Sequence, residues 1–312
     1  INFNNSAIKL TINGNNQVIN GNSLQFLTLN KVNLILNDLT ITNCLSPKGS
    51  AIYGYGSNLT LNNITFKSNS ASGLYGEGGA IYLNNSKLYI NNSEFIDNSA
   101  SAGGGLYLYE STSNIGNSKF KSNYAKWYGG ALYSIGNLTI RNSVFNENGA
   151  DFKGGAIHTS ESPNMESIVR VYDCELYSNN AEFGAAVSTS SKNYFVIDGS
   201  LLYNNTAKYG GIIAMFSRGN INLINDVIYD NKAIHGAVIY YVTEGIINLI
   251  NDEIYNNSAD EGTIIYAMAG KLYANNDFNI ENSFLYDNTM KKGLFYQGDG
   301  NYKIFNSSIT FN

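Results

Sequence analysis

Charge is scarce in this chain. Of 312 residues only 14% are Asp, Glu, Lys or Arg, and only three are arginine: Arg141, Arg170 and Arg218. With a net charge of −5 and no basic run, the sequence lacks the electrostatic footprint of a protein that binds nucleic acid or an anionic membrane surface. No apolar run approaches the ~18 residues needed to cross a bilayer. No signal-peptide pattern stands at Ile1. Proline occurs only at Pro47 and Pro163, cysteine only at Cys44 and Cys174, and histidine only at His158 and His235. The two histidines fall in separate stretches with no Cys/His spacing for a metal, and are expected at the surface.

Asn, Ile, Ser, Tyr and Gly dominate instead. The excess of Asn over Lys and Glu disfavours helix, because Asn favours turns and caps over helix interiors. A content of 43% apolar residues, arranged periodically, argues for a packed core. The period is a repeat anchored on Ile41, Phe66, Phe95, Phe120, Phe145, Leu176, Leu201, Ile228, Ile254, Leu285 and Ile309. Seven and five positions before the anchors stand pairs such as Leu59/Leu61, Leu138/Ile140 and Ile247/Leu249. A spacing of two is the strand period, so both members of each pair face one core.

Two columns punctuate the repeat. Three positions before the anchor stand Asp38, Asn63, Asn92, Asn117, Asn142, Asp173, Asp198, Asn225, Asn251, Asn282 and Asn306. Three positions after it stand Cys44, Asn69, Asn98, Asn123, Asn148, Asn179, Asn204, Asn231, Asn257, Asn288 and Asn312. Asn tolerates the left-handed backbone that a sharp bend between strands requires, and stacked amides can hydrogen-bond along a column. Three short strands per turn, with Asn columns at the bends, describe an all-β parallel β-helix: a solenoid of about 11–12 turns of roughly 25 residues. Residues 1–32 are expected to form an N-terminal lead-in turn with bends at Asn13-Gly14 and Asn20-Gly21, and residues 33–312 a single solenoid domain. The chain opens on Ile1 and stops within a repeat, so the expectation is a processed or excised segment of a longer protein. Insertions at 70–78, 159–168 and 267–277 are expected to project from the rod.

The paired signatures Gly78-Gly79-Ala80-Ile81, Gly129-Gly130-Ala131-Leu132 and Gly154-Gly155-Ala156-Ile157, with Phe66-Lys67-Ser68-Asn69 and its copies at Phe95, Phe120 and Phe145, resemble known repeats. They are similar to those of polymorphic outer membrane proteins and of the adhesin-like surface proteins of methanogenic archaea. The resemblance covers nearly the whole chain, although the glycine motif decays after residue 180. It implies a right-handed single-stranded helix displayed outside the cell.

For chemistry the repeat is sparing. Cys44 and Cys174 lie five turns apart, about 24 Å at the stacking distance. A disulfide needs Cα atoms within roughly 7 Å, so two free thiols are expected. Asp173 and Asp198 appear as neighbours in one column, and Asp226 and Asp252 as neighbours one position on. Such a pair suggests a weak cation site or an acid pair for glycoside cleavage, against plain replacement of Asn at a bend. Polysaccharide lyases and hydrolases of the pectate-lyase-like fold would imply acids, with Lys or Arg, on or beside the first strand. The first-strand segments, among them 80–84, 105–109, 130–134 and 155–159, contain none. They carry aromatics: Tyr53, Tyr82, Tyr107, Tyr133 and His158 share one outward position, and Trp127, Phe152 and Phe183 another before the Gly-Gly. Such stripes can bind a sugar or a partner, or can simply stabilise their own column. Nine Asn-x-Ser/Thr sites fit a secreted glycoprotein, with Asn4, Asn58, Asn84, Asn91, Asn137 and Asn256 as glycosylation candidates and Asn63, Asn204 and Asn306 serving the columns.

The expectation is therefore a non-enzymatic extracellular protein of the cell surface: an adhesin-like stalk or binding module without catalytic residues, metal or cofactor. Its expected partners are carbohydrate, a cell-surface protein or copies of itself, with no membrane span in this segment. The alternatives are a polysaccharide lyase or hydrolase, and a self-assembling sheath or fibre subunit.

Overall fold

The chain winds into a solenoid of parallel strands whose inner side chains stack turn upon turn. The computed structural model describes residues 1–4, 9–165, 167–190, 192, 194–243, 245–267, 276–296 and 300–310. Asn312 of the second column, Gln297 of the last first-strand segment and residues 268–275 of the third insertion lie outside these. Among the described residues there is no helix, and so none long and apolar enough to cross a membrane.

Three sheets run the length of the rod. The first has twelve strands, from Asn2–Asn4 and Leu27–Asn30 through Ile81–Asn84 and Leu132–Ile135 to Phe295–Tyr296. The second bends through two arms, seen most simply in Asn58–Lys67, which runs through both; in the next turn the arms are Lys87–Asn91 and Glu94–Ile96. A third, ten-stranded sheet of short segments such as Tyr124–Tyr128 closes each turn. A turn therefore has four strand segments rather than three. All pairings between turns are parallel, Phe66 beside Phe95 and Leu61 beside Ile90.

The core is a set of columns. Phe66, Phe95, Phe120 and Phe145 stack with ring centroids 4.9, 4.7 and 4.5 Å apart, and the expected pairs such as Leu59/Leu61 and Leu138/Ile140 are fully buried beside them. One anchor differs. Leu202, fully buried, pairs with Leu176 and Ile228, whereas Leu201 is 38% exposed. Two adjacent leucines made the turn ambiguous, and buried Phe195 and Ile197, seven and five positions before Leu202, resolve it. Every column position in that turn therefore moves by one.

The first column holds the left-handed bend as expected, with φ between 47° and 58° from Asp38 to Asn306, except that Gly199 (φ 68°) stands where Asp198 was expected. The second column works differently. Left-handed backbone falls one residue earlier, on Asn43, Ser68, Asp97, Ser122, Glu147, Ser178, Asn204, Asp230, Asn256 and Asp287. The column itself is a buried amide ladder with Asn205, not Asn204, as its member. Asn98 shows the pattern: Asn69 donates to its Oδ1 from both backbone N–H and Nδ2, while its own Nδ2 donates to Phe66 O and Asn123 Oδ1, all at 3.0 Å. Each amide is thereby satisfied in the interior, where an unpaired one costs about 1–3 kcal/mol. Cys44 heads this ladder, its N–H donating to Asn69 Oδ1.

In the lead-in, the left-handed residues are Asn15, Asn16, Asn22 and Ser23 rather than Asn13-Gly14 and Asn20-Gly21. Gly14 is needed for close approach, since a Cβ there would lie 2.4 Å from Asp38 O.

Candidate functional site

The outward column of the first sheet runs Thr28, Tyr53, Tyr82, Tyr107, Tyr133, His158, Ser188, Ala214, Tyr240, Tyr266 and Tyr296. The expected five-residue aromatic stripe is thus in register. Its rings stack face to face: Tyr53–Tyr82 at 5.3 Å, Tyr82–Tyr107 at 5.2 Å and Tyr107–Tyr133 at 4.6 Å, within 13° of parallel. The π-faces are occupied by neighbouring rings. Tyr82 and Tyr107 are buried, and Tyr53 and Tyr133 half-buried.

A second column on the preceding bend covers the stripe: Lys48, Glu77, Ala102, Tyr128, Lys153, Phe183, Tyr209, His235, Glu261 and Lys292. Phe183 belongs here, beside Lys153 and Tyr209, and not in the position of Trp127 and Phe152, because it directly precedes the left-handed Gly184 as Lys153 precedes Gly154, whereas Trp127 and Phe152 stand two residues before theirs. The two columns are complementary in volume. Where the sheet offers only Ser188 and Ala214, the bend supplies Phe183 stacked on Tyr209 at 4.6 Å, with Phe216 edge-on at 5.3 Å. Trp127 stays 41% exposed, with the Lys126 ammonium 5.2 Å from its ring centroid.

The ionisable groups on this side are mostly engaged. Lys48 Nζ lies 2.6 Å from Glu77 Oε2 and 4.9 Å from the Tyr82 ring centroid; the bond to Glu77 raises its pKa. His158, expected at the surface, is 3% exposed between Tyr133 and Tyr128, and burial, aided by the Lys153 charge, pulls its pKa down to about 3. It is a neutral core imidazole. Lys153 Nζ sits 3.5 Å from the Phe216 ring centroid, and burial lowers its pKa. Glu261 faces two basic side chains, His235 with Nδ1 at 3.2 Å and Lys292 with Nζ at 2.5 Å, the latter holding its carboxyl below the usual range. Sequence reasoning missed this constellation, although its members occupy one column position in three consecutive turns.

The acid pairs divide. Asp173 and Asp198 do not share a column: Gly199 stands beside Asp173, while Asp198 accepts a 2.9 Å hydrogen bond from Asn225 Nδ2. Asp226 and Asp252 do stack, each 1% exposed, in a buried column that is Ser93, Ser118, Ser143, Cys174 and Ser200 in preceding turns and Ser283 in the next. Asp226 Oδ1 accepts from Ser200 N at 2.7 Å, and Asp252 Oδ1 from Asp226 N at 2.9 Å; among the described residues Asp252 Oδ2 has no hydrogen-bond partner. Burial, then the neighbouring Asp252, pushes the Asp226 pKa well up, and burial lifts Asp252 to about 7. Among the described residues no three His, Cys, Asp or Glu side chains gather for a metal. Cys44 and Cys174 are buried free thiols, as expected, with burial raising their pKa values to about 11 and 12.

A further aromatic ladder was missed. Tyr177, Tyr203, Tyr229, Tyr255 and Tyr286 stand one residue after the anchor in five consecutive turns, half-exposed on the second arm of the second sheet. Their centroids lie 4.8–5.2 Å apart and within 8° of parallel. The signal was in the sequence as a repeated anchor-Tyr pair. Among the glycosylation candidates, Asn4, Asn58, Asn91 and Asn256 are exposed and Asn84 and Asn137 half-buried; Asn204, freed from the ladder, is exposed as well.

Residues 1–167 match a family model described as a right handed beta helix region. No curated protein and no solved structure matches the chain.

Proposed function

The chain belongs to the right-handed β-helix family, and from that premise we propose a non-enzymatic, extracellular surface protein: an adhesin-like stalk that holds a binding face for glycans away from the cell. The observation that carries this reading is the ladder from Tyr177 to Tyr286. Five half-exposed tyrosines in register present a row of ring edges and hydroxyls on an outer face of a stiff rod. Such a row offers large apolar contact with a polar rim, at little conformational cost. Trp127 adds an exposed ring on another side. Tyr82 and Tyr107 are poor targets for a test, because their loss would open the buried aromatic layer.

The experiment is binding to a broad glycan array by the native chain, by a Tyr203→Ser/Tyr229→Ser/Tyr255→Ser variant and by Trp127→Ala. Saturable binding that the triple variant or Trp127→Ala weakens supports the reading. No binding by the native chain, or equal binding by all three proteins, rejects it.

One observation favours a second reading, a polysaccharide-cleaving enzyme. Glu261, beside the first sheet, is an acid in contact with the His235 imidazole and the Lys292 ammonium. That reading requires polymer cleavage that Glu261→Gln abolishes.

A further inference from the structure

On the first arm of the second sheet, two outward columns frame a shallow concavity of about 240 Å³. One column is Tyr89, Asn114 and Thr139; the other is Asn91, Gly116 and Arg141. Gly116 creates the notch. Its flanking turns place Asn91 and Arg141 at the same position, and a Cβ built on it would meet nothing closer than 3.9 Å, ordinary van der Waals contact without overlap. The volume falls below the roughly 300 Å³ at which pockets for drug-sized ligands begin, which limits an occupant to about one ring.

The chemistry of the walls is specific. Most tyrosines of this rod give their faces to neighbouring rings and leave only edges for a ligand. Tyr89 is 47% exposed, and among the described residues no other ring stacks on it. Asn114, Asn91 and Thr139 add amide and hydroxyl groups. Arg141 is one of three arginines in an acidic chain. Its guanidinium rests 4.0 Å from the Tyr172 ring centroid and, among the described residues, makes no ion pair. A planar fork held by a ring and free of a carboxylate suits a ligand's carboxylate. An aromatic face, amides and one cation around a single-ring space match a sugar that carries an acid.

We propose that this concavity is a binding subsite for one carboxylate-bearing pyranose of a glycan, with Tyr89 as the stacking platform, the asparagines and Thr139 meeting its hydroxyls, and Arg141 its carboxylate. The inference rests on the glycan-binding reading above and adds to its tyrosine ladder a separate subsite with a ligand class. It places this site on a different sheet from the buried tyrosine stripe.

The test uses the 312-residue chain made in a host without N-glycosylation, because Asn91 is both a lining residue and a glycosylation candidate. Calorimetry with methyl glucuronide and methyl glucoside is run on the native chain, Tyr89→Ala, Arg141→Gln and Gly116→Val. Methyl glucuronide is expected to bind at roughly millimolar Kd, and methyl glucoside about tenfold more weakly. Arg141→Gln should reduce the acid to the level of the neutral sugar. Gly116→Val, whose Cβ would come no closer than 3.9 Å to any neighbour, should weaken both about tenfold, as should Tyr89→Ala. An Arg141→Gln variant that keeps the acid preference, or Tyr89→Ala and Gly116→Val variants that bind like the native chain, would overturn the proposal. Native binding to other glycans on the array, with no response to methyl glucuronide, overturns this subsite and leaves the glycan-binding reading standing. No glycan bound at all overturns both.

Discussion

Asp252 is the residue whose environment is most at odds with its chemistry. On either side of the Asp226–Asp252 pair the column holds Ser200 and Ser283, each contributing a small hydroxyl that accepts from the backbone N–H of the turn before. At Asp226 and Asp252 the same task falls to buried carboxyl groups, one of whose oxygens, Asp252 Oδ2, finds no partner among the described residues. Unfolded, such a carboxyl releases its proton near 3.8; folded, Asp252 holds it to about 7. The stabilisation from that tighter proton is complete below about pH 4 and is lost as the pH rises through about 7, amounting to roughly 2–4 kcal/mol across the window. Asp252→Ser should therefore raise the melting temperature at pH 8 while changing it little at pH 5. Melts at the two pH values check this, and an equal shift at both would show that the carboxylate is not titrating there. The companion Asp226 contributes in the same direction, its pKa raised by burial and by Asp252. The sequence shows both residues as neighbours, but gives no sign that their column faces inward. Serine at the equivalent positions suits the interior and the surface alike, so residue type did not reveal the burial.

At the scale of the element, the recurring decision is how each bend turns. The Gly-Gly signature persists only in part beyond residue 180, and the backbone explains which part. Gly129 has φ 64°, and a Cβ there would lie 2.2 Å from Leu132 O; left-handed glycine recurs at this place from Gly49 to Gly293. The second glycine gives way to Ala185, Ala237 and Thr263 in later turns. Both glycines sit against backbone, a Cβ at Gly130 lying 2.1 Å from Gly155 O, but only Gly129 adds the left-handed strain, so Gly129→Ala should cost more than Gly130→Ala by about 1–2 kcal/mol. Chemical denaturation of the two variants measures the difference, and equal losses would contradict the assignment. Strand period and anchor spacing were legible because burial repeats them in every turn: the Leu59/Leu61 and Phe66 columns lie where expected. The exchange of Leu201 for Leu202 was not legible from the anchor alone, since both are leucine. The second asparagine column was found, but its work was misassigned. Asn69 and its successors satisfy buried backbone, and the left-handed bend passes to the residue before, where Ser, Asp, Asn and Glu all serve.

Across the whole molecule, the repeat assigns nearly every inward side chain to the same job in each turn. Stability in such a rod is close to a sum of turns and their interfaces, so function must come from what the frame leaves free on the outside. Sequence alone separated frame from surface, and placed the outward tyrosines of the first sheet in one column. It did not show that a second column covers them, because that depends on how Lys48, Glu77, Ala102 and Tyr128 fold over from the bend. Nor did it show that the exposed ladder lies elsewhere, from Tyr177 to Tyr286. The central claim is that this rod holds glycan without cutting it. The most direct measurement is size-exclusion chromatography with light scattering of the chain incubated with neutral and acidic polysaccharides. The account predicts that polymer elutes at undiminished length with protein bound to it. Polymer shortened by the native chain and left intact by Glu261→Gln would contradict it.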